Sequence, residues 1–244
     1  MIRRVVPVAA GVFCLLLAAG FFLVLRGAVE TGSGRDGPLL RDLFTTSSVD
    51  ETGSVNVVTA ILMDYRAFDT LGEATVIFTA VAVAAAILGK PRPTESQRTM
   101  GLLSRRLLSS VLPLFLLFPL FVIAHGHISP GGGFQGGVSL AVLVILIHVA
   151  FGDPFGQNVV PLRLLGMVEY GAALGLVAVG MLGIVQGASF LANLAAGFPS
   201  GTPGSLLSGG VIPVLNLLVG LKVAAGLSSL YIYLSGHEAS RGDR

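Results

Sequence analysis

The sequence predicts an all-α, polytopic integral membrane protein with about six transmembrane helices. Of its 244 residues, 53% are hydrophobic and 11% are charged, whereas soluble domains carry about 25% charged residues. Apolar runs that approach the roughly 20 residues needed to cross a bilayer recur along the chain, between polar or Gly-rich segments. The single cysteine excludes an internal disulfide, and a net charge of +2 is too small to indicate nucleic-acid binding.

The first apolar run covers residues 5–25 and follows Arg3 and Arg4. It is longer than the apolar region of about 7–15 residues in a signal peptide, and it has no clear small-residue cleavage site. We therefore expect a retained span rather than a cleaved leader. Residues 26–54 are polar, with five acidic side chains, and indicate an exposed loop with one short helix near residues 39–44.

The next apolar stretch, residues 55–88, is interrupted by charges and is too long for one ordinary span. We expect a helical or re-entrant segment that ends near residue 68, followed by a span over about residues 70–88. One continuous tilted helix is the alternative. A basic segment over residues 89–106 comes next, and Pro91 disfavours helix at its start.

Four further spans are predicted, and loops of different character separate them. Placing both termini in the cytoplasm puts the basic segment inside, and it puts the acidic loop and the two external connections outside, in agreement with the positive-inside rule. The spans cover residues 107–124, 134–150, 164–185 and 211–234, with a short loop at 151–161 and a chargeless loop at 186–210. The predicted segments are an N-terminal helix with its acidic loop (1–54), a module (55–90), a basic cytoplasmic linker (91–104), a four-helix membrane domain (105–236) and a polar tail (237–244).

A Gly-rich stretch, residues 125–137, joins the third and fourth spans. Glycine permits backbone conformations closed to other residues, and Pro130 disfavours continuation of the preceding helix, so a tight turn is expected. Non-helical backbone at membrane depth persists only when it is buried in protein or faces water. This favours a chain packed inside a larger membrane assembly. The residues assigned to this turn are His125, His127, Pro130, Gly131, Gly132, Gly133, Phe134, Gln135, Gly136 and Gly137.

Two other interpretations of this stretch are not favoured. His125 and His127 could bind a metal only with a third or fourth ligand, and no cysteine or acidic residue lies nearby in the sequence. No metal site is therefore predicted. The glycines satisfy G-x-G-x-x-G, but a dinucleotide site requires a strand and a βαβ unit, whereas these flanks are membrane helices.

Ionisable residues within apolar stretches are candidates for an ion or proton pathway, because each costs about 2.5–3.5 kcal/mol on insertion scales. On a continuous helix, Arg66, Asp69 and Glu73 would share one face, near Asp64. Arg66 could neutralise one carboxylate and leave the other for a proton or a monovalent cation. The alternative is an ion-paired helix end at the outer membrane interface.

A second candidate set lies in the last three spans. Glu169 lies about one turn inside the fifth span, and Lys222 lies near the middle of the sixth. The two could pair if these spans are neighbours, and His148 near the end of the fourth could join them. Such a set could be a proton relay or only a structural ion pair.

Two stretches resemble known families. Gly126-His127-Ile128-Ser129-Pro130 and the following glycines resemble the motif of the MnhB component of the multi-subunit Na⁺/H⁺ antiporters called Mrp or Mnh, over residues 105–236. Residues 56–88 resemble the end of the large MnhA component, which is a small protein of its own, MbhE, in membrane-bound hydrogenase complexes. That pattern reads Asp-Phe-Arg-Gly-Phe-Asp-Thr-Leu-Gly-Glu, with Tyr65 and Ala67 as substitutions here.

The resemblance implies a non-catalytic subunit of a hetero-oligomeric Na⁺/H⁺ antiporter in a bacterial or archaeal cell membrane, without a cofactor. Its implied partners are large, Complex I-like proton-translocating subunits and other small membrane subunits. The resemblance also assigns Asp69 and Glu73 to the cation path. The alternatives are a membrane subunit of a redox-driven complex, such as a hydrogenase relative, and a passive scaffold. No nucleophile–base pair, phosphate loop or haem pattern indicates an enzyme.

Overall fold

The structure is a computed structural model that describes residue 22, residues 40–89, residue 91 and residues 100–242, with side chains up to residue 236. This part of the chain is helical and contains no strand, and five of its helices are long and apolar enough to cross a membrane. The predicted all-α fold is therefore confirmed. The predicted first span, most of the basic segment and the polar tail lie outside the described side chains.

The chain divides into two compact units, Met1–Leu43 and Phe44–Arg244, and nearly all described residues belong to the second. Helix α1 covers Leu40–Thr52 and is longer than the predicted short helix. Helix α2, Val57–Ala60, begins at Asn56, whose side chain accepts hydrogen bonds from two backbone N–H groups of its first turn. A π-helical turn, Ile61–Tyr65, continues directly from α2.

The predicted break in the second apolar stretch is present, and the helix after it begins three residues earlier than expected. Arg66 has φ −130° and ψ 39°, outside the helical region, and helix α3 begins after it as Ala67–Leu88. The Thr70 hydroxyl donates a hydrogen bond of 2.7 Å to the Leu62 carbonyl across the break. The continuous-helix alternative is wrong, and Arg66 therefore stands at a helix end instead of on the face of a single helix.

The other four long helices are α4 (Leu102–Ala124), α5 (Gly133–Phe151), α7 (Leu162–Val185) and α8 (Ile212–Gly242). Helix α4 begins before the predicted span, so the end of the predicted basic segment is helical. The predicted loop at 151–161 also contains a short helix, α6 (Asp153–Val159), with proline in its first turn, where no intrahelical N–H bond is lost.

Helix α8 is the centre of the second unit. It packs against α3, α4, α5 and α7, and it is the most buried of the five long helices. Small residues permit the closest of these approaches: a Cβ on Gly137 of α5 would lie 2.6 Å from the Gly220 carbonyl oxygen of α8. In contrast, α3 and α4 expose most of their apolar side chains, as a surface in lipid or against a partner requires.

Three connections meet at one end of α8, which we call the turn end: residues 53–60, the Gly-rich turn and the chargeless loop. Asn193 of the chargeless loop donates a hydrogen bond to the Thr52 carbonyl (3.2 Å), and His127 of the turn pairs with the Ser205 carbonyl (3.1 Å). We expected these connections on the same side of the membrane, and their contacts agree with that. The side that this end faces stays a prediction.

Candidate functional site

The Gly-rich turn runs from His125 to Gly132, between the end of α4 and the start of α5. Gly131 and Gly132 have φ of 141° and 143°, which favours glycine over residues with a Cβ. A Cβ on Gly126 would lie 2.5 Å from the Cα of Gly132, so the two limbs of the turn touch. The predicted tight turn is present, and its glycines are needed for both conformation and close approach.

The start of α5 is held against α8 by backbone contact. The Gly133 N–H donates a hydrogen bond of 3.0 Å to the Asn216 side-chain oxygen. A Cβ on Gly133 would lie 2.3 Å from the Asn216 backbone oxygen. The Gly-rich turn is therefore fixed to the central helix at a position that only glycine fits.

The segment before α2 grips the same turn from the other side. Asn56 donates two side-chain hydrogen bonds of 2.8 Å, to the carbonyls of Gly126 and Ser129. The Thr59 hydroxyl also donates to the Gly126 carbonyl, at 2.6 Å, and the Ser54 hydroxyl donates to a third carbonyl of the turn. These bonds satisfy carbonyls that the non-helical backbone leaves without helical partners. The sequence analysis missed Asn56 and Asn216, because their roles depend on distant backbone atoms.

The two predicted histidines of the turn lie in different environments. The His125 ring stacks on Phe121 and its Nδ1 pairs with the Phe121 carbonyl. His127 is fully buried beneath the chargeless loop, and this burial lowers its pKa. Among the described residues no group of three or more His, Cys, Asp or Glu side chains could hold a metal ion.

The predicted acidic set divides into three parts. Asp64 faces the chargeless loop, where Asn193 donates a hydrogen bond of 3.1 Å to its carboxylate. Burial raises the pKa of Asp64 and the Glu51 carboxylate adds to this rise, while the Asn193 bond opposes it. Arg66 and Asp69 form an exposed ion pair on the first turn of α3.

Glu73 lies apart from the other members of this set. It is exposed on the outer surface of α3, six residues or about 9 Å from the start of the helix. It borders a cavity of about 220 Å³ between α3, the turn and α8, which we call the Glu73 cavity. Besides glycines of the turn, the polar residues that line this cavity are Thr59, Thr70, Glu73, Gln135 and Asn216.

The second predicted pair is present inside the helix bundle. Lys222 Nζ lies 3.7 Å from the Glu169 carboxylate, and both side chains are about 2% exposed. Lys222 Nζ also lies 5.3 Å from the centre of the Phe78 ring, a cation–π distance. Glu169 borders a separate cavity of about 660 Å³, the Glu169 cavity, which extends toward Arg163 at the opposite end of the bundle.

His148 is buried but is held by other groups than this pair. Its Nδ1 pairs with the Val144 carbonyl at 2.9 Å, within its own helix. Its ring packs edge-on against Tyr231 and closely over Gly156 of α6. The structure thus brings Glu169 and Lys222 together and gives His148 a different set of contacts.

Comparison with known families assigns the chain. A model of the domain related to the MnhB subunit of Na⁺/H⁺ antiporters matches residues 103–229, more than half of the sequence. The chain belongs to this MnhB-related family. A second model, for the MbhE component of MBH, matches residues 6–102. Both matches confirm the resemblances inferred from the turn motif and from residues 56–88, and they place this MnhB-related chain among multi-pass proteins of prokaryotic cell membranes.

Relatives and solved structures extend this result. The MnhB-related chain is 35% identical to an uncharacterized protein of Methanocaldococcus jannaschii over 74% of its own length and 77% of the relative. It is 29% identical to the MnhB-type Na⁺/H⁺ antiporter subunit of Bacillus subtilis over 41% of its length and 68% of that protein.

Two solved complexes contain chains of similar fold. One is the membrane-bound sulfane sulfur reductase, an archaeal respiratory membrane complex, with a TM-score of 0.69 and 33% identity over 96% of this chain and 98% of that one. The other is the Mrp complex from a Dietzia species, with a TM-score of 0.63 over 91% of this chain and 26% of that one. At 24% identity the second likeness concerns the fold alone.

Proposed function

We propose that this chain is a non-catalytic subunit of a hetero-oligomeric monovalent cation/proton antiporter, and that Glu73 and its cavity form part of the cation path. The family assignment and the likeness to an MnhB-type antiporter component support the class of assembly. The position of Glu73 supports its role. Asp69, Arg66 and Asp64 belong to the same end of the path, and they tune it through charge.

The carrying observation is an exposed carboxylate on an apolar transmembrane helix. Glu73 has no ion-pair partner among the described residues, and its neighbours on the same surface of α3 include Phe68 and Val76, which are 64% and 69% exposed. A lone charge facing lipid at this depth is costly, so such residues face water or a partner protein. Glu73 is therefore placed where a companion subunit would complete an enclosed, wet site.

The Glu73 cavity has the chemistry that a small cation requires. Hard cations prefer oxygen ligands, which carboxylate, hydroxyl and amide groups supply. The hydroxyl protons of Thr59 and Thr70 are already donated to backbone carbonyls, so their oxygens are left as acceptors. A volume of about 220 Å³ holds several water molecules at about 30 Å³ each. A partly hydrated monovalent cation fits this site.

Glu73→Gln tests the role of the carboxylate. We expect loss of Na⁺/H⁺ exchange in vesicles that contain the whole complex, with the complex still assembled on a native gel, because glutamine keeps the shape and removes the charge. Asp69→Asn is the matched control: it removes an exposed carboxylate one turn away that is paired with Arg66, and we expect a smaller loss. Normal exchange by the Glu73 variant would remove Glu73 from the path.

The second candidate function is a membrane subunit of a redox-driven complex. The likeness to a chain of an archaeal respiratory complex covers almost the whole length of both chains, which favours this alternative. Co-purification of the tagged chain separates the two, because partners that are all antiporter-like indicate the first, and partners that carry iron–sulfur or other redox centres indicate the second. Sodium/proton exchange by the isolated chain in liposomes would contradict both, since each requires companion subunits.

A further inference from the structure

The Glu169–Lys222 pair is supplied by a cavity of its own. The Glu169 cavity begins at the end of the bundle that carries Arg163, Gln157 and Pro91, and it reaches Glu169, Tyr170 and Ser229. Glu169 is seven residues from the start of α7, so the cavity penetrates about 10 Å from that end. The Glu73 cavity lies at the turn end. The two cavities therefore approach the middle of the bundle from opposite ends.

Helix α3 passes between the two cavities and fixes their separation. Glu73 borders one of them and Val81 borders the other, eight residues or about 12 Å further along the helix. Between them lie Ile77 and Phe78: the Phe78 ring covers Lys222 and meets the Tyr170 ring edge-on at 6.0 Å. These contacts close the space between the cavities, so the structure holds two half-routes with a barrier of aromatic side chains.

The pair itself retains unused polar capacity. Lys222 Nζ and Glu169 Oε1 are buried and have no hydrogen-bond partner among the described residues, since their mutual distance of 3.7 Å is beyond hydrogen-bond length. A purely structural ion pair in a membrane gains from short, saturated contacts. A carboxylate held loosely beside an ammonium, at the end of a cavity, is suited to bind and release a proton carried by water.

We propose, on the basis of the antiport function above, that the Glu169–Lys222 pair is the proton-exchange site of this subunit, reached from the Arg163 end and coupled to the Glu73 cavity by charge. The pair is neutral when a Glu169 carboxylate faces a Lys222 ammonium. One proton taken from water in the cavity converts the carboxylate to the acid and adds one positive charge. That charge disfavours a cation in the Glu73 cavity across α3, and release of the proton to the same cavity reverses the effect.

Other charged groups share this environment. Arg163, Asp153 and Tyr170 line the Glu169 cavity, and Tyr233 of α8 lies close enough to Glu169 to interact with it electrostatically. Gly226 of α8 leaves room for the carboxylate, because a Cβ there would lie 3.3 Å from Glu169 Oε1. The proposal therefore concerns a set that α3, α7 and α8 assemble together.

Cysteine accessibility tests the route. In the whole complex with Cys14 replaced by serine, Ser229→Cys is treated with a membrane-impermeant cationic thiol reagent from each side of sealed vesicles. Ser228→Cys is the matched control, since both serines are buried but only Ser229 borders the cavity. We expect Ser229→Cys to react only from the Arg163 side, at least ten times faster than Ser228→Cys. Equal rates, or reaction from the turn end, would overturn the route.

A paired substitution tests the chemistry. Glu169→Gln and Lys222→Met alone each leave one unpaired buried charge and reduce assembly, whereas the double variant leaves none and should assemble. We expect the assembled double variant to lose at least ten-fold in Na⁺/H⁺ exchange. Normal exchange, or failure of the double variant to assemble, would overturn the proposal in favour of a structural pair. If Glu73→Gln behaves as expected in the same vesicles, such a result leaves the proposed antiport function standing.

Discussion

Single glycine positions decide whether the turn can dock on α8. Gly133→Val is expected to prevent assembly, because even the first atom of the side chain would lie 2.3 Å from the Asn216 backbone oxygen and neither backbone can move freely. Overpacking of this kind costs about 1–3 kcal/mol or more. The measurement is the amount of intact complex on a native gel, with the thermal midpoint of the purified complex.

Gly72→Ala is the control for this substitution. Gly72 lies within α3, and a Cβ there meets nothing within 4 Å. Alanine should therefore be tolerated, with a gain of about 1 kcal/mol in helix stability. Recovery of a normal complex with Gly133→Val would show that close approach at this position is not needed.

At the same scale, the residues that the sequence revealed are those whose chemistry is costly in a membrane. Glu73, Glu169 and Lys222 were found because charge is rare in apolar runs. Asn56, Asn193 and Asn216 were not, because an asparagine in a polar loop or helix is ordinary until its partner is known. Asn193 accepts a hydrogen bond from the Val211 N–H and donates to two other segments, and no local pattern indicates this.

At the scale of elements, the sequence predicted the long helices well because hydropathy and length determine a span. It did worse at their ends. The break at Arg66 depends on the Thr70 bond to Leu62, and the start of α4 at Leu102 extends a helix into a basic segment. Both ends are set by local hydrogen bonds instead of by composition. The meeting of three connections at the turn end followed from the orientation rule, but its hydrogen bonds did not.

The chargeless loop covers the Gly-rich turn through His127, and this contact predicts a pH dependence. Burial lowers the pKa of His127, and its Nδ1 has no hydrogen-bond partner among the described residues. Protonation would create a buried N–H donor without an acceptor. As pH falls below the ordinary histidine pKa of about 6.5, the unfolded chain takes up the proton first, so stability is full above that range and is lost below it.

The measurement is the thermal midpoint of the purified complex between pH 8 and pH 5. We expect the midpoint of the parent complex to fall with acidification and that of His127→Gln to fall less. Asp64 contributes with the opposite sign, because its raised pKa favours the folded state as pH falls, but both proteins retain it and the difference isolates His127. His125→Gln is the control, and an unchanged slope with His127→Gln would contradict the assignment.

At the scale of the whole molecule, the chain is a membrane bundle whose surface is incomplete without companions. Helices α3 and α4 expose apolar side chains, and α3 also presents a carboxylate on that surface. Lipid satisfies the first feature but not the second. A surface that is apolar except for one charged residue at the rim of a polar cavity fits contact with another subunit, which agrees with the proposed place in a larger complex.

The two family matches also make a prediction about how the molecule is divided. They meet near residue 102, and the contacts across this division are extensive: Asn56, Thr59 and Ser54 bind the carbonyls of the turn, and α3 packs on α8. Each such hydrogen bond contributes about 0.5–1.5 kcal/mol. If these contacts form a true interface, the covalent connection is not required.

Co-expression of residues 1–95 and 96–244 as separate chains tests this division. We expect a tag on either fragment to recover both in detergent, because the turn accepts the N-terminal module through its own carbonyls. Asn56→Ala removes two donated bonds and a helix cap, so it should lower the recovered amount several-fold. Ser139→Ala, which removes a hydroxyl bonded only within α5, should not. Recovery of one fragment without the other would show that the linker, not the interface, holds the two modules together.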